Sequence, residues 1–252
     1  IILLLNDISK MKFKISKKTF TGKQLLESVV VVYIQKNDIE GQRILSEFAN
    51  VRVVWGGKSA VDSIINLPKK FDCDDIILGP RNSLSIVSND YLKNINSAKD
   101  LAKKITRDVF SFNQLGCNSP HNLYLEKGSI ISHKIFIKIL VNFFEIESLR
   151  IKRDNNISND IINIVNERIL YSIDKNKDVY FSKKNNWNIF YDKKNMLASK
   201  PLYHNSLFIK SIKDINLIPD NFPENIQTVG VAITKKKFQK FSKLALEKKA
   251  LR

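Results

Sequence analysis

Three short apolar runs separated by stretches of helical pattern constrain the front of this 252-residue chain more than any other feature. Val29 to Ile34, Val51 to Trp55 and Asp75 to Leu78 are rich in β-branched residues, as buried strands are. Between them, Asp38 or Asn37 is placed to cap a helix through Phe48, and Ser59 to Asn66 reads as a shorter helix. A strand that returns to lie parallel needs a crossover, which a helix supplies. The pattern predicts βαβ units and a parallel sheet holding all three runs. Ser97, with Asp100 three residues on, starts another helix that runs to about Arg107.

Beyond that helix, Val109 to Phe112 and Asn122 to Leu125 read as strands flanking a Gly/Asn/Pro turn. Ile135, Phe136, Ile139, Leu140, Phe143 and Phe144 recur at helical spacing, as do Ile161, Ile162, Val165, Ile169 and Leu170. Both sets are expected to be core-facing stripes. Asp178 to Asp192 resembles a hairpin, Ser206 to Ile209 a further strand, and Lys236 to Leu251 a helix. Lys152 to Asn159 and Lys193 to Asn205 are polar and loop-like. A boundary just ahead of the second strand group divides the chain into residues 1–105 and 106–252.

The charge, 42 Lys+Arg against 25 Asp+Glu, raises the alternative of a basic nucleic-acid-binding protein. The lysines, however, are scattered from Lys10 to Lys249 among Asn and Ile, so no single basic face is expected and nucleic acid is not the expected partner. A positive surface also favours encounter with anionic substrates. Ile1 to Leu5 and Val29 to Ile34 are far too short to span a bilayer. Two cysteines make no disulfide framework, so a cytoplasmic location is expected. Three histidines and no cysteine pair leave no metal site in prospect.

Of the two thiols, Cys117 stands on the turn, where a rigid element can hold a reachable sulfur. Cys73 lies in Lys70-Phe71-Asp72-Cys73-Asp74-Asp75, among acids that disfavour a thiolate. Trp55-Gly56-Gly57-Lys58-Ser59 sits where a strand ends and a helix begins. Two glycines there let backbone approach an anion, and a helix N-terminus supplies N–H groups. An ordinary βα turn has the same look.

Asn113-Gln114-Leu115-Gly116-Cys117-Asn118-Ser119-Pro120-His121 resembles the catalytic stretch of the bacterial long-chain acyl-CoA reductases, the fatty acid reductases of bioluminescence operons and a branch of the aldehyde dehydrogenase superfamily. Val53 to Val61 and Gly79-Pro80-Arg81-Asn82-Ser83 resemble the family's two other signatures in the same order, and Ile226 to Val231 its C-terminal part. The resemblance implies an aldehyde-dehydrogenase-like α/β fold: part of a parallel Rossmann-type coenzyme sheet, then a catalytic α/β domain with a return segment, in a chain truncated at both ends. It implies NADPH-dependent reduction of a long-chain acyl thioester to a fatty aldehyde through an acyl group on Cys117. The donor would be acyl-CoA or an acylated partner protein, an acyl-protein synthetase, and the complete enzyme a homo-oligomer.

Asn113 and Gln114 are candidates for shaping the catalytic turn. Gly56, Gly57, Lys58 and Ser59 would meet the coenzyme phosphates, and Gly79, Pro80 and Arg81 would lie near the nicotinamide. Aldehyde dehydrogenases place a glutamate before the glycine matching Gly79, where it activates water; here that position is Leu78. A reductase gains nothing from water, which would discharge the acyl-enzyme as an acid. His121 is a candidate substitute base. The alternative is an inactive or acyl-transferring fragment of the same fold.

Overall fold

A computed structural model of the chain describes residues 2–150 and 160–248. Lys152 to Asn159 and the end of the expected helix at Leu251 lie outside the described residues. The chain divides into two compact units, residues 1–79 and 80–252. The division falls ahead of the expected 105/106 boundary, a position inside a continuous helix of the second unit.

The first unit opens with α1 (Ile2–Ser9), the antiparallel hairpin β1 (Lys12–Ile15) and β2 (Lys18–Thr21), and α2 (Gly22–Leu26). There follow α3 (Ile39–Phe48), β3 (Val51–Trp55), α4 (Lys58–Ile65) and β4 (Asp74–Leu78). Asp38 caps α3 by accepting from the Gly41 N–H, as the sequence suggests. β3 and β4 pair in parallel across α4, giving the expected βαβ unit. Arg52 holds the unit together: it bridges Asp75 at 2.6 and 2.8 Å and donates to Ser46 and to the carbonyls of Ile64, Ile65 and Leu67.

Val29 to Ile34 is a correction: it forms no strand, and Val30 and Tyr33 are 82% and 89% exposed. A strand exists only where a neighbour takes its N–H and C=O groups. Here Val32 and Ile34 instead line a 540 Å³ groove beside β3, together with Leu45, Val51 and Val53.

The second unit is built on a six-stranded sheet, in which β5 (Asn82–Val87), β6 (Pro120–Glu126), β8 (Asn188–Asp192), β9 (Ser206–Ile212) and β10 (Ile226–Ala232) run parallel. β7 (Lys177–Phe181) pairs antiparallel at the edge, and the order is β10-β5-β6-β9-β8-β7. Helices α5 (Ile95–Phe110) and α6 (His133–Ser148) pack on one face around Leu101, Ile105, Phe136, Phe144, Leu123 and Ile209. On the other face, α7 (Asp160–Ile173) covers Phe190 and Phe208, and α8 (Lys235–Glu247) covers Ile86 and Ile212. Such a parallel sheet is buried on both faces, and its apolar core positions stand beside buried polar ones such as Ser83, Ser85, Asn188 and Lys210.

Three sequence expectations change here. α5 starts at Ile95 under a capping box made by Asn94 and Ser97, and Val109 to Phe112 is no strand. Val109 and Phe110 continue the buried helical face set by Ala98, Leu101, Ala102 and Ile105, and packing decides the matter. β5, missed in the sequence, is a central strand whose alternating serines disguise it. The stripe on α7 is the third. Ile162, Val165, Ile169 and Leu170 are exposed, and the helix docks instead through Ile164, Tyr171 and Arg168, whose guanidinium stacks 4.3 Å over Phe181 and bonds Asn188.

Candidate active site

Cys117 lies on the connection from α5 into β6, at the amino edge of the six-stranded sheet. After α5 the chain makes a short turn in which Phe112, Asn113 and Gln114 are all left-handed, with φ of 52°, 54° and 61°. Left-handed backbone costs an L-residue roughly 1–2 kcal/mol, so three in succession persist only where the surroundings hold them. The holder is Gln114. Its buried side chain donates to the carbonyls of Pro120 (3.1 Å) and Ser206 (2.9 Å) and accepts from the Ser206 N–H at 2.8 Å. Ser206 is itself approached through a second left-handed turn, Tyr203, His204 and Asn205.

Within the loop, Leu115 N–H donates to the Phe112 carbonyl and Ser119 N–H to that of Gly116. A Cβ on Gly116 would stand 2.9 Å from the amide oxygen of Asn118, the tip of an exposed side chain that can turn aside. Ser83, buried at the start of β5, donates its hydroxyl to the Cys117 carbonyl. A trans peptide sets C=O and the next N–H in opposite directions, so the Asn118 N–H points away from Ser83. Among the described residues neither this N–H nor that of Cys117 is engaged. The loop therefore presents two unused main-chain donors beside an exposed thiol, the arrangement an oxyanion needs.

The other sequence candidates fall into place unevenly. Asn113 is exposed, and its amide makes no hydrogen bond among the described residues, so it is available to a ligand. Gln114 is wholly committed to holding the loop. Ser83 as the anchor of the Cys117 carbonyl was not anticipated; only its place after Gly79-Pro80-Arg81 hinted at it. His121 is 4% exposed, stacks edge-on against Tyr203 at 5.1 Å, and has a buried Nδ1 without a partner. Burial pushes it down to about 4, so the ring is neutral near pH 7. Cys73 is buried at 4% and directs its thiol to the Asp74 carbonyl.

In the first unit, β3 ends at Trp55 and α4 begins at Lys58, with Gly57 as its cap. Gly57 offers no side-chain cap, so the first N–H groups of the helix stay open. Nothing stands within 4 Å of a Cβ built on Gly57 or on Gly79, and the Lys58 and Ser59 side chains are exposed. Open backbone, free N–H groups and one cation fit a phosphate. Leu78 closes β4 with its side chain 41% exposed, and Pro80 and Arg81 open the second unit.

A family model described as acyl-CoA reductase (LuxC) matches residues 6–250. The chain belongs to the LuxC acyl-CoA reductase family. No curated protein sequence matches it. Solved structures with a similar fold include an NAD-dependent benzaldehyde dehydrogenase from Corynebacterium glutamicum, at TM-score 0.57 and 12% identity over 83% of this chain and 47% of that one. Aldehyde dehydrogenase 21 from Physcomitrella patens, solved with succinate, gives a TM-score of 0.55 at 10% identity over 82% and 45%. PnpE in complex with nicotinamide adenine dinucleotide gives 0.56 at 11% identity over 81% and 45%. The LuxC family thus has here the α/β fold of the aldehyde dehydrogenases, and the chain spans less than half the length of these structures.

Proposed function

We propose that Cys117 is the nucleophile of an acyl reductase that converts a long-chain acyl thioester to a fatty aldehyde with NADPH. The observation that carries this reading is the exposed thiol on an over-determined loop with two unengaged N–H donors. Family membership supports the acyl chemistry.

In the first step the Cys117 thiolate attacks the thioester carbonyl carbon. The oxyanion is met by the N–H groups of Cys117 and Asn118, with the Asn113 amide within the same turn; a donor of this kind is worth roughly 3 kcal/mol in a transition state. Collapse expels the thiol of the donor, which takes up a proton, and leaves the acyl group on Sγ. NADPH, when bound, supplies the hydride that reduces this acyl group. A second collapse then frees the aldehyde and regenerates the thiolate. Gly56, Gly57, Lys58 and Ser59 would hold phosphates of the coenzyme at the α4 N-terminus, with Gly79, Pro80 and Arg81 nearer its reactive end. Leu78, where a water-activating glutamate stands in aldehyde dehydrogenases, leaves the acyl-cysteine for reduction.

A second reading, acyl transfer without reduction, would use the same exposed thiol and N–H donors with no coenzyme. Mass spectrometry after exposure to a long-chain acyl-CoA, followed by NADPH, separates the two. Acyl mass on the Cys117 peptide that disappears with formation of aldehyde supports reduction. Acyl mass that persists supports transfer, and acylation undiminished in Cys117→Ser would sink both. Lys58→Ala is expected to acylate normally and reduce poorly.

A further inference from the structure

The carboxyl edge of the six-stranded sheet, opposite Cys117, carries a cavity of about 590 Å³ that the acyl chemistry does not use. A seven-residue strand such as β6 separates the two edges by about 20 Å. The cavity is framed by the turn after β6 (Lys127, Gly128, Ser129), the start of α6 (Ser132, His133, Lys134) and the ends of β7, β8 and β9 (Asp178, Tyr191, Lys193, Ser211). Gly128, at φ 89°, allows the turn that brings Lys127 and Lys134 to the same opening.

Its lining holds three lysines against one acid. That acid, Asp178, is already paired with Lys193 at 3.0 Å. Lys127 and Lys134 are exposed and have no acidic partner among the described residues. The polar floor around His133 is satisfied within itself. His133 Nε2 lies 3.0 Å from the Glu126 carbonyl, which can only accept, so Nε2 carries the proton. Nδ1 of the neutral ring then accepts, with the hydroxyls of Tyr191 (3.2 Å) and Ser211 (3.3 Å) in reach to donate. Ser132 accepts from the Ile135 N–H, which leaves its own O–H proton to give. No lining side chain offers an unpaired negative charge. Two ammonium groups without acidic partners and the Ser132 hydroxyl proton line a space large enough for a small molecule.

We propose that this cavity binds a phosphate monoester dianion, at a site separate from the thiol and independent of the reading of its chemistry. The ligand is recognised by its phosphate, held between Lys127 and Lys134, with the tyrosine-lined wall accommodating the organic portion.

The test is NMR of the imidazole resonances, which are few because the chain has three histidines. The protein is titrated with glycerol 3-phosphate and, separately, with inorganic phosphate, with sodium chloride keeping ionic strength constant. A saturable shift at His133 is expected, with a rise in its pKa as the anion offsets the field of Lys127, while His121 and His204 stay unmoved. Lys127→Ala/Lys134→Ala should weaken binding about tenfold, each exposed ion pair being modest alone. The exposed pair Lys240→Ala/Lys243→Ala on α8, which removes the same charge elsewhere, should leave it unchanged. Tighter binding of glycerol 3-phosphate than of inorganic phosphate supports the monoester, whereas tighter inorganic phosphate overturns that assignment. No saturable shift at millimolar ligand, the same shift with chloride alone, or equal weakening by both double variants overturns the site.

Discussion

The side chain of Gln114 and the main chain of Ser206 grip each other through two hydrogen bonds, at 2.8 and 2.9 Å, across 92 residues of sequence. A third, from the same amide to Pro120, closes the frame. This contact joins two left-handed turns and fixes the loop that displays Cys117. Gln114→Ala removes three hydrogen bonds of a fully buried amide, each worth about 0.5–1.5 kcal/mol net, and leaves the Ser206 N–H only its bond to the Tyr203 carbonyl at 3.0 Å. A loss of roughly 2–4 kcal/mol is expected in denaturant unfolding, with a fall in the acylation rate of Cys117. A variant as stable as the parent would mean that the frame is not holding the loop.

The two thiols differ in access, Cys117 being exposed and Cys73 only 4% exposed. Iodoacetamide followed by peptide mass mapping should label Cys117 in the native protein on the order of a hundredfold faster than Cys73, since a buried thiol reacts only through opening of the fold. In denaturant the difference should nearly vanish. Equal native rates would remove the structural argument for Cys117.

His121 makes stability depend on pH in a definite sense. Burial lowers its pKa to about 4, while an unfolded histidine titrates near 6.5. Between those values the unfolded chain binds more protons, so the contribution is complete above pH ~6.5 and fades as pH falls toward 4, by about 3 kcal/mol in all. Unfolding free energies measured from pH 7 to 4 should fall more steeply for the parent than for His121→Phe. Parallel curves would show that the buried neutral ring is not the cause.

Tyr124 offers a stabilising change. It is 1% exposed, packed beside Leu84, Ile86 and Phe241, and its hydroxyl has no partner. Removing a buried, unsatisfied hydroxyl while keeping the ring relieves a desolvation cost, so Tyr124→Phe should gain about 1 kcal/mol. Thermal unfolding checks the sign, and a lowered midpoint would show that the hydroxyl has a partner in solution.

What could be read from residues alone was mostly local. Asp38 ahead of Ile39 to Phe48 carries its own cap, and the βαβ order of β3, α4 and β4 follows from period and length. The ordered motifs around Gly56, Gly79 and Cys117 pointed to the family that the chain-wide match then showed. The stripe on α7 misled because either side of that helix is apolar; Tyr171 packs on Phe190 and Phe208 and Ile164 is buried, while Ile162 and Ile169 stay exposed. The cap of α5 was missed by three residues, since Asn94 and Ser97 are both competent caps and the bond they share identifies the true one.

The sequence by itself determined that the segments of α3, α4 and α6 are helical, where the parallel pair β3–β4 lies, and that one thiol sits on a polar turn. Those properties depend on neighbours within a few residues, through backbone sterics, capping and hydrophobic period. Tertiary structure decided that Val29 to Ile34 stays unpaired, that Val109 belongs to a helix, and that Gln114 serves the loop while Asn113 faces outward. Each of those outcomes turns on a hydrogen-bond or packing partner distant in sequence, such as Ser206 for Gln114. A backbone or amide group that must be satisfied on burial takes whatever partner the fold brings to it, and local sequence carries no record of that choice.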